Sequence, residues 1–189
     1  MNAGTKRAVF LDRDGVLNRG HLVDGVPRPP DSVADLELLP GVEDACRTLH
    51  EAGLLLIVVT NQPDIARGTQ TPEAVEAINR ELMARLPLDE IRVCPHDDDE
   101  CECRKPAPGM LLDAAREHEI DLASSVMVGD RWRDVEAGRR AGCRTVFIDS
   151  GYPERPPEEP DLTVRELGEA VPWILESSAE GRTGHAHSR

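Results

Sequence analysis

Five short runs constrain this chain more than any other feature: AVFL (8–11), LLLIVV (54–59), IRVC (91–94), VMVG (126–129) and TVFI (145–148). They are nearly continuous in aliphatic and β-branched residues. Strands with one wet face alternate apolar with polar; unbroken runs indicate strands covered on both faces, as in a parallel sheet. Helical segments fall between the runs, where parallel strands need their crossovers. PGVEDACRTLHEAG (40–53) opens on proline and closes on glycine. Val42, Ala45, Cys46 and Leu49 share one face of it, which assigns Cys46 to the core. TPEAVEAINRELMARL (71–86) begins with a Thr N-cap and a proline. PGMLLDAAREHEI (108–120) and DVEAGRRAG (134–142) follow the third and fourth strands. The fold class is α/β, Rossmann-like, with a central parallel sheet and helices on both faces.

The 189 residues suit one domain, expected over 1–176, with the polar segment 177–189 expected to be a disordered tail. Residues 19–39 are rich in Pro, Gly and Asp and are expected to form a long loop at one end of the sheet, with His21 and Arg28 solvated. The formal net charge of −14 repels a polyphosphate backbone, and basic residues are scattered, so nucleic acid is not an expected partner. No apolar run approaches a membrane span or a signal peptide. A cytoplasmic monomer acting on a small phosphorylated molecule is the expectation.

The chemistry gathers at strand ends. Ligands of doubly wound sheets bind beyond the carboxyl ends of the strands. Asp12 ends the first strand, Asp14 lies two residues on, and Asp130 ends the fourth. Three carboxylates in one crevice repel unless a cation joins them, and hard oxygens suit Mg²⁺. Asp12-Arg13-Asp14-Gly15 alone also reads as a plain turn. Thr60, Asn61 and Gln62 follow the second strand and offer donors to phosphate oxygens. Arg104 and Lys105 bring cations to the same edge, and Asp134 follows Asp130 by four. A separate cluster reads C-x-H-x₄-C-x-C: Cys94, His96, Cys101 and Cys103. Three thiolates and an imidazole match a closed, structural Zn²⁺ site, here within a loop spanning 94–107. Asp97, Asp98, Asp99 and Glu100 are expected to form its solvated tip.

The ordered motifs F-L-D-R-D-G, V-V-T-N-Q, C-R-K-P and V-G-D-R-x-x-D resemble those of the haloacid dehalogenase-like (HAD) phosphatases. More narrowly, F-L-D-R-D-G-V-L-N, T-N-Q-x-x-I-A-R-G and C-x-C-R-K-P-x-P-G-M-L resemble the D-glycero-D-manno-heptose 1,7-bisphosphate 7-phosphatases. The resemblance implies a HAD fold with a minimal cap. It implies Asp12 as nucleophile, Asp14 as general acid and base, and Thr60 and Lys105 as stabilisers of the phosphoryl group. It places Mg²⁺ on Asp12, Asp130 and the Asp14 carbonyl, and Zn²⁺ on Cys94, His96, Cys101 and Cys103. Asn61, Gln62, Arg104, Lys105 and Arg131 are the implied substrate contacts. Three departures stand out: Pro63-Asp64 where a small Ser-Gly pair is expected, only four residues between His96 and Cys101, and a 19–39 stretch richer in proline than expected. The implied activity is removal of the 7-phosphate from a heptose bisphosphate on the way to a nucleotide-activated heptose. Histidinol phosphate is the alternative substrate, and a zinc-stabilised binding module the alternative without catalysis.

Overall fold

The structure is a computed structural model and describes residues 6–23, 26–98 and 101–180. Six parallel strands form one sheet in the order β5-β4-β1-β6-β7-β8. These are β1 (Ala8–Leu11), β4 (Leu55–Asn61), β5 (Glu90–Cys94), β6 (Val126–Gly129), β7 (Arg144–Ile148) and β8 (Leu162–Val164). A separate antiparallel hairpin, β2 (His21–Val23) and β3 (Val26–Arg28), lies inside the stretch expected to be a loop. The helices are α1 (Val42–Glu51), α2 (Pro72–Arg85), α3 (Gly109–His118), α4 (Trp132–Ala141) and α5 (Leu167–Glu180). None of the described helices is long and apolar enough to cross a membrane.

Strand alternation divides the core into two layers. Val9 and Leu11 of β1 join Leu56 and Val58 of β4 and the inner faces of α1, α2 and α5. Ala8 and Phe10 join Ile57 and Val59, with α3 and α4, on the other side. Both faces of every central strand are therefore dry, which is why the runs do not alternate. Cys46 lies fully buried in the first layer, and burial pushes its thiol up to about 12.

The strands of the sheet's centre match their expected bounds closely, with two useful differences. β4 runs on through Thr60 and Asn61, so those side chains sit on the sheet rather than in a loop after it. α4 begins at Trp132, two residues early, because the Asp134 carboxylate accepts from Arg131 N at 3.0 Å and caps the first turn. β8 and α5 are additions. β8 is a short, half-exposed edge strand. Pro172 stands inside α5 and reads as a helix breaker. Even so, Leu167, Ala170, Val171 and Ile174 bury one helical face. α5 reaches Glu180, so the first residues of the segment expected as a tail are helical. Residues 181–189 fall outside the described residues.

Gly138 brings α4 against the sheet. A Cβ there would stand 2.6 Å from Met127 Cβ and 2.9 Å from Thr145 Cγ2. Alanine gains about 1 kcal/mol of helix propensity over glycine. Overpacking costs about 1–3 kcal/mol, and these contacts involve atoms close to the backbone. Gly138→Ala should therefore lower stability by about 1 kcal/mol, and the melting temperature by roughly 2–4 °C for a chain of this size. An equal or higher melting temperature would show that α4 can move off β6 without cost.

Candidate active site

The turn after β1 is built around one close approach. Gly15 has φ of +91°, and a Cβ there would lie 1.8 Å from Asp130 Oδ2. Only glycine lets the β6 carboxylate settle against this turn. Asp12, 8% exposed, ends β1 and faces the same crevice. Arg13, between the two aspartates, is wholly buried. Its Nη2 lies 3.1 Å from Asp14 Oδ2, and its Nη1 donates to Asn79 Oδ1 of α2 at 2.9 Å. Asn18 Nδ2 donates to Asp14 Oδ1 at 2.9 Å and Gln62 Nε2 to Asp14 Oδ2 at 2.8 Å. Asp14 is thus held from three sides. The two carboxylates share a turn yet have different surroundings.

Asp12's partner is Lys105. Its Nζ donates to Asp12 Oδ1 at 2.8 Å and lies 2.6 Å from Asp134 Oδ1. Lys105 is 2% exposed. Burial alone pulls its pKa down, but Asp12 and Asp134 more than offset this and hold it above the usual lysine range. Burial pushes the Asp12 carboxyl up to about 6, with Lys105 pulling it back and Asp134 and Asp14 adding to the rise. Burial, then Asp12 and Asp134, raise Asp130 well above the ordinary carboxylate range.

Asp12, Asp130 and Asp134 present oxygens within 4.8 Å of one another. One lysine does not balance three carboxylates, and Asp130 Oδ1 is buried without a hydrogen-bond partner. An all-oxygen, net-negative group with an orphaned acceptor fits a hard divalent cation. Both Asp134 oxygens are engaged, by Lys105 and by Arg131 N. Asp130 is therefore the open ligand, and Asp134 the residue that fixes Lys105. Asp134 was not among the expected site residues; its spacing of four from Asp130 was the available signal.

The remaining expected residues meet here with altered tasks. Thr60 is buried at the end of β4, accepting from Gln62 Nε2 at 3.0 Å. Asn61 spends both ends of its amide on Lys105: Nδ2 donates to the carbonyl at 3.0 Å, and Oδ1 accepts from the N–H at 3.1 Å. The geometry makes it a holder of Lys105, and the Gln62 amide a holder of Asp14, where donors to phosphate had been expected. Arg104 Nη1 donates to the His96 carbonyl at 2.7 Å. Arg131 pairs with Glu154. All these residues line one cavity of about 350 Å³, together with Arg28, Asp64 and Arg67. Arg28, expected as a solvated loop residue, is thus part of the cavity wall; the side chain of His21 lies outside the described ones.

The cysteine loop closes on itself beside this cavity. Cys101 Sγ lies 3.0 Å from Cys103 Sγ and from His96 Nδ1. Cys103 Sγ stands 3.1 Å from Cys94 Sγ, and Cys94 Sγ 3.6 Å from His96 Nδ1. All the cysteines are unbridged. A bond from Cys103 lowers the Cys101 thiol to about 7, while burial first, and then the neighbouring thiols, raise Cys103. Four soft donors around one point fit a tetrahedral metal with no vacant position. Gly109 of α3 seals the loop from behind, since a Cβ there would lie 2.3 Å from the Glu102 carbonyl oxygen. Lys105 follows two residues after the last of these donors.

Comparison with known proteins agrees with this arrangement. A family model described as HAD-hydrolase-like matches residues 102–170. The D-glycero-beta-D-manno-heptose-1,7-bisphosphate 7-phosphatase of Yersinia pestis is 41% identical, covering 92% of this chain and 92% of that protein. The protein of the same name from Escherichia coli (strain K12) is 38% identical over 92% of this chain and 90% of its own length. Among solved structures, the D,D-heptose 1,7-bisphosphate phosphatase of B. bronchiseptica, complexed with magnesium and phosphate, superposes with a TM-score of 0.73 at 32% identity. That match covers 90% of this chain and 98% of the other. The chain belongs to the D-glycero-D-manno-heptose-1,7-bisphosphate 7-phosphatase family of HAD-like hydrolases.

Proposed function

We propose that this chain is a phosphatase that removes the 7-phosphate of D-glycero-D-manno-heptose 1,7-bisphosphate and leaves heptose 1-phosphate. The observation that carries the reading is the buried Asp12 carboxylate, 2.8 Å from Lys105, at the floor of an arginine-rimmed cavity. The sugar itself rests on the names of the relatives.

Asp12 attacks phosphorus and forms an aspartyl phosphate. The P–O bond to the sugar breaks, and Asp14 gives its proton to the departing oxygen. Asp14 then takes a proton from the water that hydrolyses the aspartyl phosphate, which returns both carboxyls to their starting states. Lys105 and Thr60 meet the equatorial phosphoryl oxygens, where charge redistributes in the transition state. Asp12, Asp130 and the Asp14 carbonyl would hold Mg²⁺, which when bound would supply charge that offsets repulsion between nucleophile and phosphate. Cys94, His96, Cys101 and Cys103 would hold Zn²⁺ with a structural task, which would keep Arg104 and Lys105 in register with the reaction turn. Arg104, with Arg28 and Arg67, meets the phosphate that stays on the sugar. We place the enzyme in the cytoplasm, because a thiol cluster of this kind persists in a reducing compartment, and propose that it acts as a monomer. Phosphate release from heptose bisphosphate, histidinol phosphate and fructose 1,6-bisphosphate tests the assignment; preference for histidinol phosphate would replace it with the histidine-pathway reading.

Asp12→Asn keeps the side chain's shape but cannot attack phosphorus, so turnover should fall by roughly 10³-fold or more with the fold intact. Turnover within about tenfold of wild type would remove Asp12 from the nucleophile's role.

The metal site has its own pH signature. Without metal, the folded protein keeps the Asp12 proton up to about pH 6, against 3.8 for a free aspartate. The folded state binds that proton more tightly than the unfolded state. This group's contribution to stability is therefore lost as pH rises between those values. Mg²⁺ needs the ionised form. Its gain in melting temperature should be full near pH 8 and shrink as pH falls through about 6. An increment independent of pH would place the ion elsewhere.

Protein purified without chelator should carry one zinc per chain. Cys101→Ser should lose it and show faster amide exchange in 94–107 than in β1 or β4. Elemental analysis finding no zinc in the wild type would dispose of the structural metal.

A further inference from the structure

The four residues between His96 and Cys101 are all acidic, and the first of them does not simply face water. Arg67 donates to Asp97 through Nε, 2.6 Å from Oδ2, and through Nη2, 2.5 Å from Oδ1. Arg104 Nη2 lies 3.6 Å from the same Oδ1. Arg67 Nη1 is also 3.6 Å from Asp64 Oδ1, with Arg28 Nη1 at 4.0 Å from that atom. One carboxylate of the cysteine loop thus gathers two guanidinium groups. They come from separate segments, and both line the cavity.

The pair is open to solvent, with Arg67 47% and Asp97 34% exposed. An exposed ion pair adds little to stability, so the fold does not depend on it. A phosphate dianion offers the same fork-matching oxygens with more charge than a carboxylate. The contact is therefore built to be exchanged. The buried pair of Lys105 with Asp12 and Asp134 is not, because separating it leaves charges stranded out of water.

We propose that Asp97 is a specificity-determining residue, an internal anion that holds Arg67 and Arg104 together at the cavity mouth until the phosphate retained on the sugar displaces it. A substrate bearing only the reacting phosphate has nothing to exchange there. This inference rests on the bisphosphatase reading above. Asp97, next to His96 in the cysteine loop, is the carboxylate in reach of Arg67.

Competition has a sign, and that sign separates this role from a structural one. The measured quantity is the KM for heptose 7-phosphate divided by the KM for heptose 1,7-bisphosphate. Asp97→Asn removes the competitor and should raise the ratio roughly three- to fivefold, about what an exposed ion pair is worth. Arg67→Gln removes the receiver and should lower it by a similar factor. A damaged loop would move both variants the same way, and zinc content with melting temperature reports such damage directly. An unchanged or lower ratio in Asp97→Asn, or an unchanged or higher one in Arg67→Gln, overturns the inference while leaving the bisphosphatase reading standing. Wild-type enzyme that releases no phosphate from the bisphosphate overturns that reading first, before any variant is compared, and the inference with it.

Discussion

Everything at this sheet edge depends on one buried cation. Lys105 is 2% exposed and sits between Asp12 at 2.8 Å and Asp134 at 2.6 Å. It arrives from the cysteine loop, whereas its partners come from β1 and α4. Without it, two buried carboxylates would face each other and the orphaned Oδ1 of Asp130, and breaking a buried pair of this kind costs about 3–5 kcal/mol. Burial would then drive protons onto the carboxyls, and a protonated Asp12 is no nucleophile. The lysine keeps the site charged in a place where charge is expensive. This explains the surrounding effort: Asn61 grips both the N–H and the carbonyl of Lys105, and a four-donor cysteine loop ends two residues before it.

The same logic accounts for the arginine between the aspartates. A second carboxylate so near Asp12 must be turned aside and held. Arg13 does this from beneath the turn, anchored on Asn79 of α2, while Gln62 reaches Asp14 from the end of β4. Helix, sheet and turn are locked through polar contacts at the point where the hydrophobic layers end. Gly15 then allows Asp130 to close from the other side.

The parts legible in the sequence were those with a local physical signal. Unbroken β-branched runs marked the central strands, because burial on both faces leaves no polar alternation. Strand-end carboxylates, the T-N-Q turn and the cysteine spacing marked the site, because charge and thiol chemistry do not hide in composition. What escaped depended on distant partners. Nothing local marks Arg13 as buried, because its partner Asn79 lies 66 residues away. Asn61 looked like a phosphate donor because nothing local reveals that Lys105 will stand opposite it. Arg28 looked like loop because β2 and β3 are three residues each and Pro27 stands inside β3. α5 was masked by Pro172, whose local penalty is outweighed by the buried face of Leu167, Ala170, Val171 and Ile174.

Two kinds of ion pair divide the labour. At the floor the pairs are dry, short and made by residues fixed through the backbone, so the reacting phosphate meets charges that need not reorganise. At the rim they are wet: Arg67 with Asp97, Arg131 with Glu154, Arg28 at 4.0 Å from Asp64. Wet pairs cost little to open and can be traded for a ligand's oxygens. A chain without room for a large cap cannot wrap its substrate. It must select through loops that stay open to water, and exchangeable surface charges suit that task. On the proposed reading, the chemistry is placed where the dielectric is low and partners are fixed, and the choice of substrate where partners can change.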